Sequence, residues 1–271
     1  MNSSTHAMPA LGMGTFRLED DVAYNSVKMA LELGYRHIDT AQIYGNEEEV
    51  GRAIADSGVD REELFVTTKV WNDKLNTSDF LPSVKESLRK LQLDYVDLLL
   101  IHWPSPENNE PMKEYLGELL KAKEEGLTKN IGVSNFTIAH LKEALSILPE
   151  GSLFTNQVEV HPYLINRELR LFCESNHIHV TGYMPFAVGK VLKDDTIKRI
   201  ADKYSVSTAE VVLAWELEHG LATIPSSTSR SHLETNLKAA SVRLTDEDID
   251  DIDALDRNDR QATPDFAPEW D

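Results

Sequence analysis

The sequence predicts an α/β protein: a (β/α)8 TIM barrel in a single domain, with an extra C-terminal helix and a tail. Eight short β-rich runs alternate with amphipathic helical segments along the chain. Runs such as VDLLLI are apolar on both faces, as a parallel sheet covered by helices requires. The length of 271 residues fits one barrel of about 250. A doubly wound sheet is the alternative, but eight nearly even units favour the closed barrel.

The predicted strands follow one another at regular intervals, and each precedes a helical pattern. They are ALGMGTF, YRHIDT, LFVTTKV, YVDLLLIHW, NIGVSNF, TNQVEVHP, HIHVTGYMP and LATIPSS. STAEVVLAWELEHG adds one helix before the last strand, and LTDEDIDDIDALD adds another after it. The tail RNDRQATPDFAPEWD has no period, which predicts a loop lying on the barrel. With no composition break or flexible linker, residues 1–271 are expected to form one barrel domain.

The composition excludes some classes of partner. There are 46 acidic and 27 basic residues, and the formal charge of -19 argues against a nucleic-acid partner. No apolar run is long enough to cross a bilayer, so no membrane partner is expected. The N-terminus, including the residues before Met8, lacks the pattern of a secretory signal, which predicts a cytoplasmic location. The single cysteine, Cys173, lies on the apolar stripe of a predicted helix and is expected to pack there.

Polar and aromatic side chains cluster where the predicted strands stop. In a barrel, the carboxyl ends of all strands meet at one face, where reactive groups are found. In strand order these residues are Gly14, Thr15 and Phe16; Asp39 and Tyr44; Lys69 and Trp71; His102 and Trp103; Ser134 and Asn135; Gln157, Glu159 and His161; Tyr183; Ser226 and Ser227.

Four of these residues suggest a proton-transfer site. Asp39 and Lys69 both end apolar runs, and a buried lysine requires a counter-charge, so we expect an ion pair. An ammonium beside Tyr44 should lower the pKa of its phenol, so that Tyr44 can donate a proton to a developing alkoxide. His102 on the next strand could hydrogen-bond the same oxygen. Each residue singly has an ordinary structural explanation, but four on three successive strand ends favour a common site.

Motifs along nearly the whole chain carry a family resemblance: GTFRL, GYRHIDTAQIYGNEEEVG, FVTTKVWND, DYVDLLLIHWP, LTKNIGVSNF, TNQVEVHPYL, GYMPF and IPSS. In this order they resemble the aldo-keto reductases, and FAPEWD resembles the ending of short bacterial members that reduce 2,5-diketo-D-gluconate and methylglyoxal. The resemblance implies a catalytic tetrad of Asp39, Tyr44, Lys69 and His102. It further implies hydride transfer from NADPH to small aldehydes, 2-oxoaldehydes or keto-sugars, by an enzyme that is often monomeric.

The resemblance also implies where cofactor and substrate would bind. Ser134, Asn135 and Gln157 would hold the carboxamide, and Tyr183 would stack on the nicotinamide. The full set of implied cofactor contacts is Gly14, Thr15, Phe16, Asp39, Ser134, Asn135, Gln157, Tyr183, Ser226, Ser227, Thr228, Arg230, His232 and Asn236. The implied substrate contacts are Phe16, Tyr44, Trp71, His102 and Trp103.

The sequence departs from the common family pattern at two places. Ser226 and His232 replace the lysine and arginine that many members direct at the 2′-phosphate of NADPH, with Arg230 as a candidate to compensate. NADPH is therefore the expected cofactor, with NADH possible. The segment SPENNEP is short where longer relatives have a large loop, which predicts an open mouth and broad specificity.

Other interpretations have less support. A nicotinamide-binding redox sensor or scaffold of the same fold is the main alternative, against which the intact tetrad argues. A glycosidase would need a second carboxylate to pair with Glu159, and no other predicted strand end offers one suited to that role. No HExxH motif or cysteine pair supports a metal site at His102, Glu159 and His161, so no metal is expected. The GMGTFR run is an incomplete dinucleotide fingerprint, and its glycines are expected to allow close approach of the cofactor.

Overall fold

The computed structural model describes residues 7–271, and within that range eight parallel strands form one sheet. The strands are β1 (Met13–Gly14), β2 (His37–Asp39), β3 (Phe65–Val70), β4 (Val96–Ile101), β5 (Thr128–Ser134), β6 (Leu153–Glu159), β7 (His179–Tyr183) and β8 (Ala222–Thr223). Their order in the sheet is their order along the chain. The sheet closes where Gly12 N donates to Thr223 O at 2.8 Å and Thr223 N donates to Ala10 O at 2.7 Å. The predicted (β/α)8 barrel is confirmed.

Ten α-helices accompany the strands within the described range. They are α1 (Asp20–Leu33), α2 (Glu47–Ser57), α3 (Phe80–Leu91), α4 (Met112–Glu124), α5 (Ile138–Ile147), α6 (Arg167–Ser175), α7 (Asp195–Tyr204), α8 (Thr208–Glu218), α9 (Arg230–Lys238) and α10 (Asp246–Asp253). Helices α8 and α10 are the two extra helices that the sequence predicts. None of the helices in residues 7–271 has the length and apolarity needed to cross a membrane. The segment before Met8, expected to carry no secretory signal, lies outside the described residues except for Ala7.

The barrel interior is apolar at one end and polar at the other. Phe65, Leu98 and Leu100 point inward and pack with Met8 and Phe154 near the amino ends of the strands. This cluster forms a floor. Alternate residues of the same strands face the helices instead, which is why every residue of β4 is buried. Polar side chains are therefore concentrated at the carboxyl end of the barrel, above the floor.

Two glycines allow the barrel to close. A Cβ at Gly14 would lie 2.5 Å from the carbonyl oxygen of Ile224, and a Cβ at Gly12 would lie 2.7 Å from Nδ1 of His37. Any larger residue would push β1 away from its neighbours. The sequence analysis expected these glycines to permit close approach of a cofactor. The structure shows that both glycines let β1 pack closely against the segment after β8 and against β2, and Gly14 also lines the cavity at the barrel mouth. Close approach of a cofactor there stays a prediction.

Helix boundaries follow local chemistry. The Ser207 hydroxyl accepts a hydrogen bond from Glu210 N at 3.1 Å, and the Glu210 carboxylate accepts one from Ser207 N at 2.8 Å, which starts α8 with a capping box. Helix α1 ends at Gly34, whose φ of 104° is strained for residues with a Cβ. Residues 257–271 form no helix or strand and lie on the barrel, as the sequence predicts for the tail.

Two helical glycines provide a matched test of packing. A Cβ at Gly51 in α2 would lie 2.6 Å from the backbone of Leu91, whereas a Cβ at Gly117 in α4 would meet no other described atom within 4 Å. We expect Gly51→Ala to lower the free energy of unfolding by about 2 kcal/mol through overpacking. Gly117→Ala should raise it by about 0.5–1 kcal/mol, because alanine favours the helix. Urea denaturation followed by circular dichroism measures both, and equal effects would contradict the packing of α2 on α3.

Candidate active site

A fully buried ion pair lies at the carboxyl end of the barrel. The Lys69 ammonium on β3 forms a short hydrogen-bonded contact with the carboxylate of Asp39, the last residue of β2. It also donates to the carbonyl oxygen of Thr40 at 2.9 Å and to the hydroxyl of Tyr44 at 3.3 Å. Lys69 is 0% exposed and Asp39 is 1% exposed, so pairing offsets the loss of hydration of both charges. The predicted ion pair beside a phenol is present.

The pKa values in this cluster are set by burial and by the ion pair together. Burial lowers the pKa of Lys69, but Asp39 and Tyr44 act in the other direction, and the net pKa of the ammonium is raised. Burial raises the pKa of the Tyr44 phenol, and the Lys69 charge opposes this without overcoming it. The ammonium acts on the pKa of Tyr44 in the direction expected from the sequence, but the expected net lowering is wrong because burial is the larger effect. The site holds a charged lysine beside a phenol that keeps its proton.

His102 lies directly after β4 and contacts the same phenol. Its ring packs edge-on against Tyr44 at 5.6 Å and against Trp71 at 5.1 Å between ring centroids. Burial first, and the nearby Lys69 charge second, hold the pKa of His102 well below its usual range. Nδ1 of His102 has no hydrogen-bond partner among residues 7–271. At neutral pH this side chain is therefore a neutral imidazole, a single N–H donor and not an acid.

Hydrogen bonds connect the ion pair to the ends of four further strands. Gln157 on β6 donates from Nε2 to the second carboxylate oxygen of Asp39 at 2.8 Å. Ser134 at the end of β5 donates to the backbone oxygen of Gln157 at 2.8 Å. Asn135 donates to the His102 carbonyl at 3.1 Å and accepts from the Tyr183 hydroxyl at 2.7 Å. These bonds fix the side chains at the ends of β2, β4, β5, β6 and β7 relative to one another.

A cavity of about 1010 Å³ opens above this network. It spans the barrel mouth from the ion pair to the loop after β8. Most of the predicted site residues line it, namely Gly14, Thr15, Phe16, Asp39, Tyr44, Trp71, His102, Trp103, Ser134, Asn135, Gln157, Tyr183, Ser226, Ser227 and Thr228. Lys69 lies behind Asp39 and Tyr44 and does not line the cavity. The strand-end residues therefore surround one space large enough for a cofactor and a small substrate.

The structure does not place the remaining three predicted cofactor residues on the cavity wall. Arg230 is exposed and forms ion pairs with Glu32 at 3.4 Å and Glu234 at 3.3 Å. His232, in the first turn of α9, is also exposed. Asn236 is buried within α9, on the side of the helix that faces Tyr35. Of the residues predicted to contact the phosphates of the cofactor, Ser226, Ser227 and Thr228 after β8 line the cavity.

Sequence reasoning missed the contribution of the tail to the mouth. Gln261, Ala262, Pro264 and Phe266 line the cavity. The Phe266 ring lies edge-on to the indole of Trp71 at 5.7 Å, and edge-on to a second indole, of Trp103, at 5.5 Å. On this side the tail therefore supplies a wall that the short 105–111 segment does not, and the open mouth expected from that segment stays a prediction. The aromatic residues of FAPEWD belong to no predicted helix or strand, and they were the signal in the sequence that the tail contacts the mouth.

The sequence pattern of the Aldo/keto reductase family matches residues 10–257. The chain is 54% identical over 266 residues to the methylglyoxal reductase DkgB of Escherichia coli O157:H7, an alignment that covers 98% of this chain and 100% of that protein. The sequence pattern therefore extends over all eight strands of the barrel, and the alignment with the relative covers nearly the whole chain.

Solved structures show the same similarity. A crystal structure of a protein provisionally named 2,5-diketo-D-gluconic acid reductase B has a TM-score of 0.94 and 39% identity, over 97% of this chain and 94% of that one. An aldo-keto reductase of Bombyx mori, crystallised in complex with NADP, has a TM-score of 0.87 and 36% identity, over 93% of this chain and 91% of that one. The predictions of an oxidoreductase and of a small carbonyl substrate are confirmed at the level of the family. The chain belongs to the aldo/keto reductase family, whose members reduce carbonyl groups with a nicotinamide cofactor.

Proposed function

We propose that this protein is an NADPH-dependent reductase of small aldehydes, 2-oxoaldehydes such as methylglyoxal, and keto-sugars such as 2,5-diketo-D-gluconate. The observation that carries the proposal is the Tyr44 hydroxyl, 3.3 Å from the buried Lys69 ammonium on the wall of a cavity of about 1010 Å³. The names of the methylglyoxal reductase and of the diketogluconate reductase structure support the substrate classes. We infer that residues 1–271 act as one barrel domain, as a monomer, in the cytoplasm.

The residues around the cavity fit a nicotinamide dinucleotide. Amide and hydroxyl groups of Ser134, Asn135 and Gln157 suit a carboxamide, and the Tyr183 ring offers a flat surface for a nicotinamide. The hydroxyls of Ser226 and Thr228 lie at the other end of the cavity, near the start of α9, where free amides favour a phosphate. When bound there, the cofactor would supply a hydride to the carbonyl carbon of the substrate.

Tyr44 is the proposed proton donor. Its raised pKa means that the phenol carries a proton at neutral pH, and an alkoxide formed from a carbonyl is far more basic than a phenolate. Once the proton leaves, the Lys69 ammonium at 3.3 Å stabilises the phenolate, while Asp39 holds that ammonium in place. The ion pair therefore acts on the state after proton transfer more than on the state before it.

His102 is proposed to orient the substrate oxygen. Because the low pKa of His102 keeps its imidazole neutral, this residue can donate one hydrogen bond but is a poor source of a proton at neutral pH. Its contacts with Tyr44 and Trp71 fix the ring at the cavity wall. This division of roles assigns proton transfer to the phenol and positioning to the imidazole.

The cofactor preference is proposed to be NADPH, with NADH accepted. Ser226 and Thr228 offer neutral hydroxyls, and His232 replaces an arginine fork, so a 2′-phosphate would meet fewer fixed charges than in many members. Arg230 places a positive charge in the first turn of α9, where it forms ion pairs with Glu32 and Glu234. Those two carboxylates reduce the net positive charge available to a phosphate. This would narrow the difference in affinity between NADPH and NADH.

A nicotinamide-binding sensor or scaffold is the second candidate. It would use the same cavity without turnover, and the ion pair beside Tyr44 argues against it, since binding alone does not require a proton donor. Oxidation of NADPH by methylglyoxal separates the two candidates. A reductase consumes the cofactor catalytically, whereas a sensor only binds it.

Replacement of Tyr44 tests the proton donor. We expect Tyr44→Phe to lower kcat for methylglyoxal reduction by about 10³-fold, within the range for loss of a general acid. Binding of NADPH, measured by fluorescence quenching, should be unchanged because the ring remains. Tyr24→Phe is the matched control, since the Tyr24 hydroxyl donates to Asp56 on the exposed surface and neither residue lines the cavity. Turnover by Tyr44→Phe at the rate of the control would assign the proton to another group.

Removal of Arg230 tests the phosphate contact. We expect Arg230→Ala to lower kcat/KM with NADPH by about ten-fold, the scale of one charge-assisted hydrogen bond, and to leave kcat/KM with NADH unchanged. The control is Arg199→Ala, because Arg199 is also an exposed, ion-paired arginine, held by Asp251.

An equal loss of kcat/KM with NADPH and with NADH in Arg230→Ala would exclude recognition of the 2′-phosphate by Arg230. If the parent protein strongly excludes NADH as a cofactor, the proposal that it accepts NADH as well as NADPH is contradicted.

A further inference from the structure

Glu159, the last residue of β6, is a buried carboxylate that the proposed reaction does not use. It is 0% exposed, and its two oxygens accept three hydrogen bonds of 2.7 Å each. One comes from Nε2 of His161. The other two come from the consecutive backbone amides of Gln261 and Ala262, about a hundred residues further along the chain. Glu159 therefore attaches the C-terminal tail to the rim of the barrel.

The attached tail carries the aromatic wall of the cavity. Four residues after Ala262, Phe266 packs against Trp71 and Trp103. Trp270 then packs on Trp103 at 6.2 Å, and the guanidinium of Arg260 lies 3.6 Å from the centre of the Trp270 ring. The position of Phe266 over the cavity thus depends on where residues 261 and 262 are held.

The energetics make this attachment strong. Release of the tail would remove two of the three hydrogen bonds to the Glu159 carboxylate and leave only the one from His161, and loss of hydrogen bonds to a buried acceptor is costly. The two amides contacting Glu159 are adjacent in sequence and each bonds a different oxygen, which fixes direction as well as distance. Beyond these contacts, Asp271 accepts a hydrogen bond from the backbone of Ile138 at the start of α5. The tail is held at both ends, with Phe266 between them.

We propose that Glu159 is a positioning residue for substrate selection: by binding the amides of residues 261 and 262 it seats Phe266 as one wall of the substrate space. The inference rests on the proposed function, and it separates two parts of that function. Chemistry at Tyr44 does not need the wall. Binding of a substrate with a bulky group beyond its carbonyl does need the wall, because such a group would extend from Tyr44 toward Phe266, Trp71 and Trp103.

The test compares two buried glutamates. Glu159→Gln keeps the size of the side chain but replaces one acceptor oxygen with an amide that cannot accept a backbone N–H. Glu216→Gln on α8 is the matched control, since Glu216 is also 0% exposed and makes no hydrogen bond to residues 260–271. Both variants are digested with trypsin, and mass spectrometry follows cleavage after Arg260. Steady-state kinetics with NADPH then compare methylglyoxal with phenylglyoxal.

We expect Glu159→Gln to be cleaved after Arg260 about ten-fold faster than the parent, the scale of one lost charge-assisted hydrogen bond. Its KM for phenylglyoxal should rise about five-fold through loss of the aromatic contacts, while kcat for methylglyoxal and the binding of NADPH stay unchanged. Glu216→Gln should match the parent in all of these measurements. Phe266→Ala should show the same rise in KM for phenylglyoxal with cleavage at the parent rate, since its tail remains attached.

Cleavage of Glu159→Gln at the parent rate would overturn the attachment. Equal changes in KM for both substrates, or a parental KM for phenylglyoxal in Phe266→Ala, would overturn the role in substrate selection. If Glu159→Gln does not fold, Phe266→Ala alone decides the role of the wall. The digestion needs no turnover, so the attachment can hold or fail independently of whether the protein reduces methylglyoxal.

Discussion

The site depends on one constraint: a lysine on β3 is completely buried and must be paired. Asp39 provides the pairing because β2 is the neighbouring strand, with Asp39 level with Thr67, two residues before Lys69. An extended lysine side chain can span that offset, and Asp39 in turn accepts from Gln157 across the barrel. The ion pair thus fixes groups from opposite sides of the mouth. Tyr44 follows β2 in a single 3-10 turn, which brings its hydroxyl to the same ammonium.

Burial and charge act in opposite directions on the reacting groups, and burial is the larger effect on the phenol. The pKa of Tyr44 is raised and that of His102 is lowered, so both side chains are neutral at physiological pH. A neutral pair is suited to receiving the uncharged carbonyl group of a substrate. The ammonium of Lys69 becomes important when negative charge appears on the phenol, since a nearby positive charge in a dry environment then has its greatest effect.

The sequence predicted those features that depend on local pattern, and failed where distant segments meet. Strand ends could be ordered because each apolar run has a clear boundary, and a barrel brings such boundaries to one face, as for Asp39, Lys69 and His102. The pairing of Arg230 with Glu32, 198 residues away, has no local signal. Nor does the bond of Glu159 to backbone amides of residues 261 and 262, because any residue except proline offers an amide. The net direction of the pKa shift of Tyr44 could not be predicted either, because it depends on how deeply the folded chain buries the phenol.

The seam between the first and last strands has a consequence for biosynthesis. Both β1 and β8 are only two residues long, and Gly14 N donates to the carbonyl oxygen of Pro225 at 3.1 Å. The two edges that meet there are separated by most of the polypeptide, so ring closure must wait until the ribosome has released the segment around residue 225. Until then the growing chain exposes two unpaired edges, and chaperones that shield such edges during translation would favour its maturation.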